Sequence, residues 1–215
     1  MLRLSATLLE SARLFEKNII QSDALIASIK KESEETLPML IGSAGHAIFE
    51  DREIFREWYD GVDMFCCNGV TFDAASFEHY LKDIFQLNPV FEVKTEDLIL
   101  QTDYGPVRIV CMADAMVGSD VWELKFSRKS LVMERYADSM QWRCYCLAYA
   151  ASKFNYRVCQ LKHFPQDDIF KIIKAETLTV YPYPGITQDI VGACHNLLHF
   201  MDINNLNDYR LEAAA

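Results

Sequence analysis

The chain has 215 residues, 51% of them apolar and 24% charged, with 21 Lys and Arg against 31 Asp and Glu for a net charge of −10. That composition belongs to a globular chain with a real core and excludes a disordered, collagenous or low-complexity one. No apolar run approaches the ~18 residues a membrane helix needs, and Met1-Leu2-Arg3-Leu4-Ser5 breaks its apolar run too early for a signal peptide, so the expectation is a cytoplasmic protein with no membrane partner.

Residues 1–35 read as helical, with Lys30-Lys31-Glu32-Ser33-Glu34-Glu35 as a solvated turn. Pro38 marks a break. A second helical run then opens at Gly42-Ser43-Ala44-Gly45-His46, with Ser43 as its N-cap, and continues to about Tyr59 with Ile48, Phe49, Phe55, Trp58 and Tyr59 on an apolar face. Cys66 to Thr71 reads as loop, and Phe72 to Phe85 as a helix ended by Asn88-Pro89. Strand patterns follow at Val90–Val93, Leu98–Thr102, Val107–Met116 and Val121–Phe126. Turn chemistry at Asp103-Tyr104-Gly105-Pro106 and Gly118-Ser119-Asp120 predicts an antiparallel meander. Ser130 to about Ser152 is helical, Tyr156–His163 and Thr177–Tyr181 are further strands, and Asp189–Met201 is a last helix. The order predicts an α/β domain, a mixed sheet flanked by helices.

With no secretory signal the seven cysteines call for no disulfide framework, and with no CxxC pair their spacing calls for no metal cluster, so they read as small buried hydrophobes. Charge is unevenly spread. Trp122 to Lys174 holds ten Lys/Arg and five Asp/Glu, and the rest of the chain is strongly acidic. This basic segment is consistent with an anion-binding face and equally with a solvated surface.

The most informative stretch runs from Val107 to Phe126. Its first strand is apolar on both faces, which predicts a central strand, yet Asp114 sits near its end, where a carboxylate is costly unless paired or metal-bound. In the next strand Trp122, Leu124 and Phe126 share one face, and Glu123 and Lys125 share the other. A short hairpin brings Asp114 beside them. Two carboxylates and an ammonium suit metal-assisted phosphodiester hydrolysis, with hard Mg²⁺ or Mn²⁺ on oxygen ligands, the backbone carbonyl of Leu124 among them. Asp83, Glu92 and Lys94 repeat the same spacing, but Asp83 lies in a helical pattern and Pro89 interrupts the window, so strand context selects Asp114, Glu123 and Lys125. Gln141 and Tyr145 follow at i, i+4 on one helix face.

A glycine-flanked His46, an Asp strand, an acid-x-Lys strand and a QxxxY helix, in that order over roughly residues 42–149, resemble the PD-(D/E)XK nuclease superfamily. The closer likeness is to its RecB-like branch, which includes phage-type exonucleases. The resemblance implies a restriction-endonuclease-like mixed sheet in a single nuclease domain, with a helical region over 1–40, a catalytic core over 42–165 and a C-terminal strand and helix over 166–215. It implies Asp114, Glu123, the Leu124 carbonyl and His46 as metal ligands, Lys125 as the group that positions the attacking water, and Gln141 and Tyr145 as supports for Lys125 and the DNA backbone. It implies a Mg²⁺- or Mn²⁺-dependent deoxyribonuclease, an exonuclease of recombination, repair or DNA processing, with DNA as its partner. A homo-oligomer and a recombination or repair partner protein are compatible with it. Members with an iron–sulfur cluster carry three Cys near the C-terminus. Only Cys159 and Cys194 follow the core helix here, so no cluster is expected.

Plainer readings stand beside these. Glu123 and Lys125 also read as a same-face ion pair, Tyr145 as a core aromatic, and His46 as a packed histidine. Arg128, Lys129, Arg135 and Arg143 are candidate phosphate contacts or solvated surface. Tyr181-Pro-Tyr183-Pro reads as a rigid loop more readily than as a base-stacking platform, and His163, His195 and His199 lack an obvious partner. The rival functions are a nuclease-fold DNA-binding or assembly module without cleavage, and a nuclease acting on RNA.

Overall fold

Residues 1–32, 35–50 and 63–209 are described in the computed structural model. The long hairpin predicted from Val90 onward forms the spine of the sheet: β4 (Val90–Thr102) and β5 (Gly105–Val117) pair antiparallel along their whole length. Gly105, at φ 94, supplies the left-handed turn residue that joins them. The two short strands predicted from Val90 to Thr102 are one strand with a register shift between Thr95 and Leu98. β6 (Asp120–Ser127) returns antiparallel to β5, and β7 (Lys153–Phe164) lies parallel to β6. β8 (Ile169–Val180) pairs antiparallel with β7 and parallel with β3 (Val70–Asp73), and β3 pairs antiparallel with β2 (Met64–Cys67). The result is one mixed sheet of eight strands, as expected for a restriction-endonuclease-like core.

Several sequence expectations are corrected. The first residues are not helical: β1 (Leu2–Ser5) pairs parallel with β5. Four residues are too few for periodicity to separate strand from helix, and pairing with a central strand decides. Cys66–Thr71 is not a loop but the tip of the β2–β3 hairpin. Asn68 and Gly69, at φ 50 and 74, are its two-residue turn, the backbone of a type I′ connection. The Ser130–Ser152 helix is two helices, α5 (Met133–Ala137) and α6 (Met140–Ala148), with Ser139 capping the second through Gln141 N–H.

The other helices are α1 (Ala6–Glu16), α2 (Ser22–Lys30), α3 (Leu37–Glu50), α4 (Ala74–Gln86) and α7 (Ile186–Ile203). Pro38 starts α3 rather than breaking the chain, because a first-turn proline has no helical N–H to lose. Gly42 to His46 therefore lies inside a helix and Ser43 is not its cap. Phe55, Trp58 and Tyr59 lie outside the described residues. On one sheet face α1, α2, α6 and α7 bury Val107, Ile109, Cys111 and Ala113 of β5, and on the other α3 and α4 bury Leu124 with Phe72 and Phe77. Five cysteines (111, 144, 146, 159 and 194) are buried as expected, whereas Cys66 is exposed and Cys67 half-buried. No helix among the described residues is long and apolar enough to cross a membrane.

One carboxylate locks α1 to α6. Glu10 accepts from Arg13, from Ser139 Oγ at 3.0 Å and from Met140 N–H at 2.6 Å, so a negative group sits at the helix N-terminus beside its unpaired N–H groups. Glu10→Ala leaves the buried Arg13 guanidinium short of a partner and is expected to cost about 2 kcal/mol, measured by urea unfolding.

Candidate metal centre and active-site cleft

Where β5 changes neighbours, the sheet opens. β6 stays with β5 for three pairs only, Ala115↔Trp122, Met116↔Val121 and Val117↔Asp120, and then follows β7. β1 takes the same edge of β5 from Val107 to Val110. The backbone between, residues 111–114, faces a fork and must find other partners. Met112 O accepts from Tyr145 Oη at 2.7 Å, and Leu124 N–H, released from β5, donates to Asp114 Oδ2 at 2.7 Å. On the other edge the ladder is also interrupted, with Glu92 at φ 49. There the Tyr149 hydroxyl accepts from Ala113 N–H at 3.2 Å and donates to Val93 O.

Helix α6 packs into the fork and aligns a polar chain. Glu123 is 3% exposed, and its Oε1 accepts from Lys125 Nζ at 2.7 Å and from Gln141 Nε2 at 2.6 Å. Gln141 also donates to Tyr145 Oη at 3.3 Å. The structure thus brings Glu123, Lys125, Gln141 and Tyr145 together. Glu123 Oε2 is buried and has no hydrogen-bond partner among the described residues, an expensive state unless a cation or proton completes it. Burial, then the nearby Asp114 carboxylate, pushes Glu123 up to about 7. Burial lowers the Lys125 ammonium, but Glu123 and Asp114 outweigh it and hold the pKa above its ordinary value.

Helix α3 supplies the remaining groups. A Cβ on Gly45 would meet the Phe126 ring at 2.7 Å, so only glycine lets the helix lie this close to β6. That approach sets His46 edge-on to Phe126 and its Nδ1 3.4 Å from Asp114 Oδ2. Glu50, one turn further, completes a group in which potential ligand atoms of His46, Glu50 and Asp114 lie within 4.8 Å of one another. Burial, with Lys125 nearby, lowers His46 to about 4, so it is neutral at pH 7 with a lone pair available. Burial raises Asp114 to about 6, and burial with Glu92 and Asp114 raises Glu50 to about 7. Several carboxylates that resist ionising together, and one orphaned oxygen, fit a hard divalent cation. Leu124 enters this centre through its N–H.

Glu50 escaped the sequence reading, and Glu92 entered it only in the Asp83 repeat that strand context set aside. Glu50 carried a signal, four residues after His46 on one helix face. Glu92 carried none, since its nearness to Asp114 depends on a strand irregularity. Of the proposed phosphate contacts, Arg128, Lys129 and Arg135 are exposed. Arg135 lines a cavity of about 620 Å³ that also reaches Lys125 and Gln141. Arg143 is drawn into the fold, with its side chain 15% exposed. It donates to Tyr183 Oη at 2.9 Å and to the carbonyls of Asp138 and Ser139, because the break before α6 leaves carbonyls to satisfy. Tyr183 is accordingly a buttress, not a stacking platform. His195 accepts from Asp103 N–H at 3.0 Å, and His163 pairs with Asp168 at 2.8 Å.

No protein-family model and no curated protein sequence matches the chain. Among solved structures the fold is similar to SSO0001, at 16% identity and a TM-score of 0.53, over 93% of this chain and 76% of that one. It is also similar to the alkaline exonuclease LHK-Exo from Laribacter hongkongensis, at 11% identity and a TM-score of 0.41, over 99% and 90% of the two chains. The same enzyme in complex with dAMP gives a TM-score of 0.42 at 11% identity, over 98% and 89%.

Two outcomes are expected. Gly45→Ala pushes α3 off Phe126 and should cost about 1–3 kcal/mol by overpacking, read by thermal unfolding. The second concerns pH. The folded Glu123 carboxyl holds its proton to about 7 while the unfolded one releases it near ~4.3. Stability of the metal-free protein is therefore lost as pH rises through that window and stays lost above it. Glu123→Gln keeps an acceptor for Lys125 and removes the buried charge. It should melt at the parent's temperature at pH 4 but higher than the parent at pH 8 in chelator.

Proposed function

We propose that the chain is a Mg²⁺- or Mn²⁺-dependent deoxyribonuclease that hydrolyses DNA phosphodiester bonds, an exonuclease of recombination, repair or DNA processing, with its chemistry in residues 42–165 of one nuclease domain. The observation that carries this reading is the juxtaposition at one fork of the sheet. His46, Glu50 and Asp114 present ligand atoms within 4.8 Å of one another. Beside them stands Lys125, bonded to a Glu123 whose second oxygen has no partner among the described residues.

In this reading Asp114, His46 and Glu50 hold the cation, with Glu123 Oε2 and the Leu124 carbonyl as the expected further oxygens. When bound, a divalent cation supplies a Lewis acid for the scissile phosphate and for water. The protein residues do the rest. Neutral His46 offers a lone pair without adding charge. Lys125 stands as a fixed ammonium where negative charge builds on the phosphate, held in place before reaction by Glu123. Gln141 fixes the Glu123 rotamer, and Tyr145 fixes Gln141 against the β5 backbone, so the charge constellation needs no rearrangement on substrate binding. Arg128, Lys129 and Arg135 are exposed around the cleft for the DNA strand.

The test is cleavage of end-labelled DNA with Mn²⁺, run in parallel on RNA of the same sequence. Asp114→Ala and Lys125→Ala should each lower the rate at least about 100-fold, chelator should abolish it, and the products should carry 5′-phosphates. Metal-dependent cleavage that survives in both variants removes the reading. Metal and DNA binding without cleavage by the parent leaves a binding module, and preference for the RNA strand leaves a ribonuclease.

A further inference from the structure

Among the described residues, helices α3 and α4 cover the sheet from β6 to β2 and the Phe91–Ala115 end of β4 and β5, but leave the face around Arg108 and Met112 open. Alternation puts Arg108, Val110, Met112 and Asp114 on that face, opposite the buried Val107, Ile109, Cys111 and Ala113. Met112 is 53% exposed. The neighbouring strands add to the same surface: Lys94 lies opposite Met112 on β4, and Arg3 lies opposite Arg108 on β1. Below Met112 the surface dips into a hollow of about 320 Å³ lined by Arg3, Ser5, Lys31, Lys94 and Val110.

The charge on this shelf is opposite to that of the chain as a whole. Glu96, at the β4 irregularity, pairs with Arg3, with Lys94 at 2.9 Å and with Arg108 at 3.8 Å. With Lys31 there are four cations, and away from Asp114 and the metal centre the carboxylates are Glu96 and Asp97, in a chain of net charge −10. Arg108 reaches Glu96 only beyond hydrogen-bond range, and its Nε has no partner among the described residues. The Arg108 side chain is 36% exposed, and its loose pairing with Glu96 leaves room for an incoming acceptor. Six residues of strand separate Asp114 from Arg108, about 20 Å, which matches the rise of about six nucleotides of duplex.

We propose that this open shelf of β5, β4 and β1 is a track for the phosphate backbone of a nucleic acid leading away from the metal centre. The assignment rests on the nuclease reading above for its direction, and on charge complementarity and continuity with Asp114 for its occupant. It is not the basic segment that the sequence offered, since Lys94, Arg108 and Arg3 all lie outside residues 122–174. The Lys125 side of the fork receives the reacting phosphate, and the shelf holds the strand that has not yet reached it.

The experiment measures binding of labelled single-stranded and duplex 20-mers to the full chain in chelator, over a salt series. The Lys94→Gln/Arg108→Gln protein is compared with the parent and with a charge-matched control, Lys82→Gln/Lys162→Gln, altered elsewhere on exposed surface. The shelf variant should bind about tenfold more weakly at 0.15 M salt, with a slope of log K against log salt shallower by about one and a half. The control should bind as the parent does. Hydrolysis of a small phosphodiester, thymidine 5′-p-nitrophenyl phosphate with Mn²⁺, should stay within about twofold of the parent, because that substrate cannot reach the shelf. Unchanged affinity and slope in the shelf variant, equal weakening in the control, or a parent that binds neither DNA overturns the track. If the shelf effect appears but the parent cleaves nothing, the nuclease reading falls and the track stands. If the parent cleaves and the shelf variant binds normally, the track alone falls.

Discussion

A strand has two edges, and β5 must serve three neighbours. β4 takes one edge entire, and β1 and β6 divide the other, running in opposite directions relative to β5. On the edge that β1 and β6 divide, the backbone of residues 111–114 lies next to no strand. In a protein interior those groups cannot be left unbonded, so the fold supplies side chains: Tyr145 to the Met112 carbonyl, and Asp114 to the N–H of Leu124. The same gap that demands these partners is the cleft. Asp114 is held by the sheet's own backbone, and Glu123 and Lys125 project from a strand that has just parted from its neighbour.

This arrangement explains why so many ionisable groups tolerate burial. Each helix that closes over the fork contributes two polar side chains and a larger apolar face. α6 brings Gln141 and Tyr145 and buries Trp142 and Cys144, and α3 brings His46 and Glu50 and buries Ile41, Ile48 and Phe49. Apolar burial offsets the desolvation of the carboxylates. The raised Asp114, Glu50 and Glu123 carboxyls show that the offset is incomplete without a counter-charge. In the proposed reading, a bound divalent cation would supply that counter-charge and stabilise the fold.

Much of the site was legible in the linear order. A carboxylate late in a doubly apolar strand, an acid-x-Lys on the next strand and a QxxxY helix select residues that do meet, because period-two and i, i+4 spacings are local rules. Arg143 shows the limit of such rules: an arginine near a basic segment looks free until the helix break at Asp138 and Ser139 claims its guanidinium. Cys66–Thr71 shows a different limit: strands of four residues on either side of Asn68-Gly69 are too short for alternation to mark a hairpin.

The residues alone determined the fold class, the central Asp114 strand, the Glu123–Lys125 face and the helical register of Gln141 with Tyr145, all consequences of near-neighbour geometry. Tertiary structure decided the rest. It brought α3 onto β6 through Gly45, which set His46 and Glu50 against Asp114. It drew Glu92 into the same field and gathered Arg3, Lys94 and Arg108 round Glu96 from two strands and the N-terminus. Apart from Lys94 with Glu96, these contacts join residues twelve or more positions apart, and no periodicity encodes them. They follow from which strand edge is left open and which helix can approach it closely.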